Sequence, residues 1–149
     1  MTVGLAVRRA DFVLAVLAAS DGVEHTPVQV QKLLFLLDER VGNRVGGPFF
    51  NFEPFDYGPF DREVYSELER LQTVGLVEIE RDVNTDWKTY RVTGPGLDQG
   101  RAYLNALPLN VSEYIRQLSK WVRGLSFADL VSAIYQAYPA MKANSVFRY

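Results

Sequence analysis

The residues able to do chemistry in this chain are few. His25 is its only histidine and it has no cysteine, so a thiolate nucleophile is excluded and a typical zinc or other transition-metal site lacks its usual donors. A general base needs a partner and a pocket. His25 stands in a polar turn just before a helix start, where it reads as a solvated turn residue. Asp38-Glu39 and the acids between Asp61 and Glu69 offer carboxylates of the kind Mg²⁺ takes, but acids at such spacing ordinarily form a solvated face. Gly42 to Gly47 surround Arg44 without the spacing of a phosphate-binding loop. Ser126 and Ser145 have no visible base. The sequence therefore predicts no catalytic residue, no metal site, no cofactor and a non-enzymatic protein.

The elements that would position any site begin with composition. At 149 residues the chain fits a single domain over 1–149, divisible into a core over 1–107 and a C-terminal helical extension over 108–149. Hydrophobic residues make up 48% and aromatic ones 13%, enough to bury a core and too much for general disorder. A net charge of −2 gives no overall pull toward nucleic acid or an anionic membrane. Arg8 and Arg9 follow the first apolar run rather than preceding it, unlike a signal peptide. The run from Phe12 to Ala19 is far too short to span a bilayer. These features predict a cytoplasmic protein without membrane contact.

Six helices and a hairpin can be read from periodicity. The first helix is expected over Arg8–Ser20, with Val7, Phe12, Val16 and Ala19 near one face and Gly22 as a left-handed cap. Thr26-Pro27-Val28-Gln29 is a capping box with proline at the first helical position. It starts a second helix to Val41, whose Val30, Leu33, Leu34, Leu37 and Val41 form a buried face. Phe35 and Leu36 add apolar surface on its other sides, which makes it central. Phe52 to Phe60 packs four aromatic rings, two prolines and a glycine into nine residues and reads as a rigid elbow between helices. Gly58-Pro59 is expected to open the third helix, with Phe60, Val64, Leu68 and Leu71 as its core stripe and Gly75 as its cap. Leu76–Arg81 and Trp87–Val92 alternate as two strands of a hairpin, and Thr93-Gly94-Pro95 opens a fourth helix. Asn110 with Glu113, and Ser126 with Asp129, are expected to box the starts of two more helices. The order is that of an α+β, mostly helical fold, with a winged helix-turn-helix-like core, a two-stranded hairpin and C-terminal helices.

Such a core suggests DNA, since the helix before the wing enters the major groove in the usual docking. Here that helix carries Asp61, Glu63, Glu67 and Glu69 against Arg62 and Arg70, with Glu78, Glu80 and Asp82 following. That surface repels phosphates. The basic balance lies after Asn110, where Arg116, Lys120 and Arg123, with Lys142 and Arg148, outnumber the acids. Arg116, Lys120 and Arg123 are the candidate nucleic-acid residues, although Trp121 and Tyr114 among them read first as core. Charge thus favours a protein-binding winged helix, with a DNA-binding transcriptional regulator as the alternative. A homodimer is open too, through the second helix or Trp121.

Three features in order resemble a known family: Thr26-Pro27 with Gln31-Lys32-Leu33-Leu34-Phe35; Tyr57-Gly58-Pro59 with Val64-Tyr65 and Leu68; and Ile134-Tyr135 with Tyr138-Pro139 and Ser145. Together they resemble the SocA-like antitoxin domain, also called the Panacea domain, of bacterial and phage toxin–antitoxin pairs, and the related YwgA-type proteins. Phe60 departs from the small aliphatic residue usual there after Gly-Pro. The resemblance implies an antitoxin-like adaptor that binds a partner protein, such as a toxin or defence protein, with no enzyme activity and no cofactor. Gln31, Lys32, Tyr57, Gly58, Pro59, Val64 and Tyr65 carry the signature, and their physical reading is mainly structural. Phe49, Phe50, Phe52 and Phe55 are the candidate partner-binding residues, because a cluster of exposed rings marks an interface.

Overall fold

The computed structural model describes residues 8–147; Val7 and Arg148, named above, lie outside them. Among the described residues there are six α-helices: α1 (Arg9–Ala18), α2 (Pro27–Val41), α3 (Arg62–Thr73), α4 (Gly94–Ala106), α5 (Leu109–Gly124) and α6 (Phe127–Ala137). Two antiparallel hairpins join them, β1 (Glu53–Phe55) with β2 (Gly58–Phe60), and β3 (Val77–Arg81) with β4 (Lys88–Val92). The architecture is α+β, mostly helical, with a winged-helix-like core.

Local chemistry accounts for most boundaries. Thr26 and Gln29 form the reciprocal capping box at α2. Ser126 accepts the Asp129 N–H at α6, and Thr93 accepts the Gly96 N–H at α4. At the end of α3, Gly75 takes φ +80°, its N–H donates to the Gln72 carbonyl, and the Leu76 N–H donates to Leu71, which is the Schellman arrangement. The start of α5 differs from expectation: Pro108 occupies the cap position and Asn110 lies inside the helix. Pro108 makes no side-chain cap bond there. Its fixed φ and its lack of an N–H suit it to a boundary position.

The core is built around α1 and α2. Every residue from Phe12 to Ser20 is buried, so α1 is enclosed on all sides rather than on one face. Gly100 of α4 makes the α1 contact close: a Cβ there would sit 2.6 Å from Ala18 Cβ and 2.7 Å from the Leu14 carbonyl oxygen. Phe35 and Leu36 of α2 are each 1% exposed, in keeping with its central position. Val111, Ile115 and Val122 of α5, and Leu130, Val131 and Ile134 of α6, belong to the same cluster of buried residues. No helix among the described residues is long and apolar enough to cross a membrane.

Two larger departures concern the β1–β2 segment and His25. Gly58-Pro59 does not open α3; it forms β2, paired so that Pro54 faces Pro59 and Phe55 faces Gly58. The presumed elbow is a hairpin turning at Asp56-Tyr57, and α3 begins at Arg62 with Asp61 as its cap. The extended path is imposed by α2. Lys32 Nζ donates to the Pro59 carbonyl at 3.2 Å, while Gln31 both donates to the Asp61 carbonyl (2.9 Å) and accepts from the Asp61 N–H (3.0 Å). Phe60 consequently stacks on Phe55 instead of joining the stripe of α3.

His25 is the second departure. It is not a solvated turn residue but fully buried. Its N–H donates to the Tyr90 carbonyl at 2.8 Å and its carbonyl accepts from Tyr90 at 2.9 Å. This one-residue bridge lies on the edge of β4 away from β3. Its position between α1 and α2 in the chain hid a long-range strand contact that no local pattern carries.

Candidate functional site

The helix–helix–wing order brings the start of α2, the outer side of α3 and the wing around one open groove of about 1040 Å³, closed on its far side by the α5–α6 junction. Its floor is the ring of Tyr65 stacked on Tyr90, centroids 6.0 Å apart. Tyr57 meets Phe127 edge-on at 5.1 Å on one wall. Trp87 stands at the wing end. These rings stay accessible: Trp87 is 71%, Phe127 44% and Tyr57 42% exposed. Apolar side chains held open to solvent along a concave face are the usual mark of an interaction site. The groove's charges are mixed, Arg62, Arg81 and Lys88 against Glu69 and Asp86.

Sequence reasoning named Tyr57 and Tyr65 but missed Phe127 and Trp87 as part of this surface. The alternation of β4 held a signal for Trp87: with Tyr90 and Val92 inward, Trp87 has the outward parity. Phe127 had none, since only the tertiary fold brings the α5–α6 junction to the hairpin.

Of the four phenylalanines proposed from sequence, Phe49, Phe50 and Phe55 line a second, smaller concavity, with Phe52 packed against Phe50, and most of them act as supports. Phe49 stacks on Phe12 at 5.0 Å, and Phe52 meets Phe35 edge-on at 5.5 Å. Phe50 lies beneath the Arg9 guanidinium, 5.1 Å from the ring centroid. All three are half-buried, and only Phe55, 52% exposed, is presented to solvent. The segment they occupy is pinned by carboxylates. Asp38 accepts the N–H groups of Phe49 (2.7 Å) and Phe50 (2.9 Å), and Asp61 accepts that of Asn51 (2.7 Å). Asp38 is thus engaged in holding backbone; its burial pushes its carboxyl upward, and these bonds oppose the shift.

Of the signature residues, Gln31, Lys32, Gly58, Pro59 and Val64 are buried, while Tyr57 and Tyr65 line the groove. Val64 is fully buried in α3. Gly58 takes φ +102°, a conformation side chains rarely adopt, and a Cβ there would lie 3.4 Å from Tyr135. Burial beneath this hairpin pushes the Lys32 ammonium down to about 8. Ser145 binds the Tyr135 hydroxyl at 2.6 Å, and the Val146 N–H donates to the Asp56 carbonyl at 2.9 Å. The C-terminal segment therefore straps the β1–β2 turn to α6.

The acids of α3 do not all face solvent. Arg9 of α1 bridges Glu67 at 2.9 Å and Glu63 at 3.0 Å, Arg70 joins both, and the Glu67 side chain is only 9% exposed. The candidate basic residues lie elsewhere, on α5, which packs against α2, α1 and α4. Arg116 and Lys120 are exposed and Arg123 is half-buried, bonded to Ser119. Trp121 beside them is 44% exposed, not the core residue its spacing suggested, because Ile115, Leu118 and Val122 take the inward face of α5.

Among the described residues neither nitrogen of the buried His25 ring has a hydrogen-bond partner. Burial, with Arg123 nearby, pushes it down to about 4, so the ring is neutral at physiological pH. Among the described residues no three histidine, aspartate or glutamate side chains converge to hold a metal ion.

No protein-family model matches the chain, and no curated protein matches it. Among solved structures, an organohalide-sensing transcriptional regulator in its ligand-free form aligns over 94% of this chain and 71% of its own, with 12% identity and a TM-score of 0.41.

Proposed function

We propose that this chain is a non-enzymatic, antitoxin-like adaptor that acts by binding a partner protein, a toxin or defence protein in the SocA-like reading of its signature. The observation that carries this is the face a winged helix would turn to a duplex. In this chain it is a groove lined by the rings of Tyr57, Trp87 and Phe127, with Arg62, Arg81 and Lys88 interspersed with Glu69 and Asp86 rather than a continuous basic stripe. A phosphate backbone requires a positive surface; a protein segment uses exposed rings and mixed charge.

The test is co-purification from the source cells with wild type and with Tyr57→Asp/Phe127→Asp. A protein recovered by wild type and lost by the variant is expected, and its growth inhibition when expressed alone should be relieved by co-expression of this chain. Recovery of nothing above background, or of the same proteins by both baits, removes the reading.

The second reading, a DNA-binding regulator, has one specific observation behind it: Arg116 and Lys120, exposed on α5 beside an exposed Trp121. Under it, affinity for the gene's own upstream DNA falls steeply with salt and is lost in Arg116→Glu/Lys120→Glu. A salt-titrated mobility shift distinguishes the two readings.

A further inference from the structure

The groove has an unfinished strand edge. The backbone groups of Trp87, just before β4, and of Thr89 and Arg91 within it point toward β3, as the bond from the Asp82 N–H to the Trp87 carbonyl fixes. Tyr90 faces the other way and exchanges both backbone bonds with His25. Residues two apart on a strand share an edge, so the Lys88 N–H and carbonyl face the same side as Tyr90. Continuing the register of His25 with Tyr90 would set Pro27 opposite Lys88. Pro27 has no N–H and already begins α2. The chain's own third strand stops after one residue, and among the described residues no backbone group pairs with Lys88 on that edge, beside the groove.

The charges around that edge are unequal. Arg81 and Asp86 pair with each other. Arg62 and Lys88 make no ion pair among the described residues, while Glu69 is the one acid in the groove left without one. The start of α2 forms another wall and adds the positive end of its helix dipole. The unpaired balance is therefore positive, set among apolar rings. At about 1040 Å³ the groove is slightly larger than the usual small-molecule site.

We infer that the groove takes an extended, acidic peptide segment of the partner, added as a strand against the Lys88 edge of β4. Its carboxylates meet Arg62 and Lys88, and its alternate apolar side chains rest on Tyr57, Phe127 and Trp87. This rests on the protein-binding function proposed above and specifies its ligand. The mode is strand addition, in which main-chain bonds give affinity and alternate side chains give specificity.

The experiment is selection of a phage-displayed library of random linear peptides on the full chain, followed by titration of the enriched synthetic peptide into Trp121→Phe. That variant leaves Trp87 as the only tryptophan. The expected consensus alternates acidic and apolar residues. Binding should shift Trp87 emission to the blue. Arg62→Glu/Lys88→Glu should weaken binding by about tenfold or more, and the milder Arg62→Gln/Lys88→Gln should weaken it in the same direction. N-methylating the peptide backbone at alternate positions should weaken it by a similar factor in one phase and not the other. A basic or charge-free consensus, insensitivity to both variants, indifference to N-methylation, or no enrichment overturns the proposal. If a partner is nevertheless recovered from cells and lost in Tyr57→Asp/Phe127→Asp, the adaptor function stands and only this ligand falls. If none is recovered, both fall.

Discussion

At the scale of single residues, two buried ionisable groups shape stability. The His25 imidazole, ordinarily near 6.5, is pushed down to about 4 by desolvation. The unfolded chain therefore binds the proton more tightly than the folded one between those values. The stabilisation is complete above about pH 6.5 and is lost as pH falls toward 4, by up to about 1.4 kcal/mol per unit. Urea unfolding at pH 7, 5.5 and 4.5 should show the fall, and His25→Phe should flatten it if the variant folds; an equal slope in both would sink the assignment. Lys32 works at the alkaline end. Its ammonium is depressed from 10.5 to about 8 by burial, so the unfolded chain holds more protons between those values and stability rises as pH climbs through them. Comparing wild type with Lys32→Met by the same method isolates this rise from tyrosine ionisation. A difference that stays constant from pH 8 to 10 would contradict it.

At the scale of elements, the joints are specific rather than merely apolar. Gln31 holds the end of β2 to α2 by two bonds to the Asp61 backbone. Gln31→Ala leaves both Asp61 groups without these partners and should cost about 1–3 kcal/mol, read as a lower denaturant midpoint with an unchanged slope. The α1–α4 joint depends on Gly100, where an added Cβ has no room against Ala18 and Leu14. Gly100→Ala gains helix propensity of about 1 kcal/mol, but overpacking of about 1–3 kcal/mol opposes it. A net loss of stability is expected, and a stabilised variant would show that α4 can move away freely.

For the whole molecule, α5 and α6 are structural partners of the winged-helix-like part. Ile115, Val122 and Val131 are fully buried, and Leu130 and Ile134 are each 1% exposed; α5 packs on α2, and α6 contacts α2 and β2. The two helices also bring Leu125 and Phe127 to the groove. A fragment of residues 1–107 is therefore expected to lack a cooperative thermal transition, because it would expose the side of α2 that they cover. Circular dichroism of the fragment checks this, and a sharp transition like that of the full chain would show that the helices are dispensable to the fold. The groove would then lose its far wall without loss of folding.

What the sequence by itself determined was local. Thr26 with Gln29, Ser126 with Asp129, Gly75 and the alternation about Tyr90 and Val92 each act within a few residues, so the capped helix starts, the end of α3 and the wing were legible. In the structure Gln31 and Lys32 bond the backbone at and after β2, and Gly58 lies against Tyr135. What only the tertiary structure decided depends on groups distant in sequence. Gly58-Pro59 became a strand because Lys32 takes the Pro59 carbonyl and Gln31 takes both backbone groups of Asp61. His25 became buried because Tyr90 supplies its backbone partners. Phe49, Phe50 and Phe52 became half-buried while Phe55 stayed exposed, and a separate groove came to join Tyr57, Trp87 and Phe127. Aromatic residues have the same sequence signature whether they fill a core or line a groove, and the difference is set by which other elements arrive to cover them.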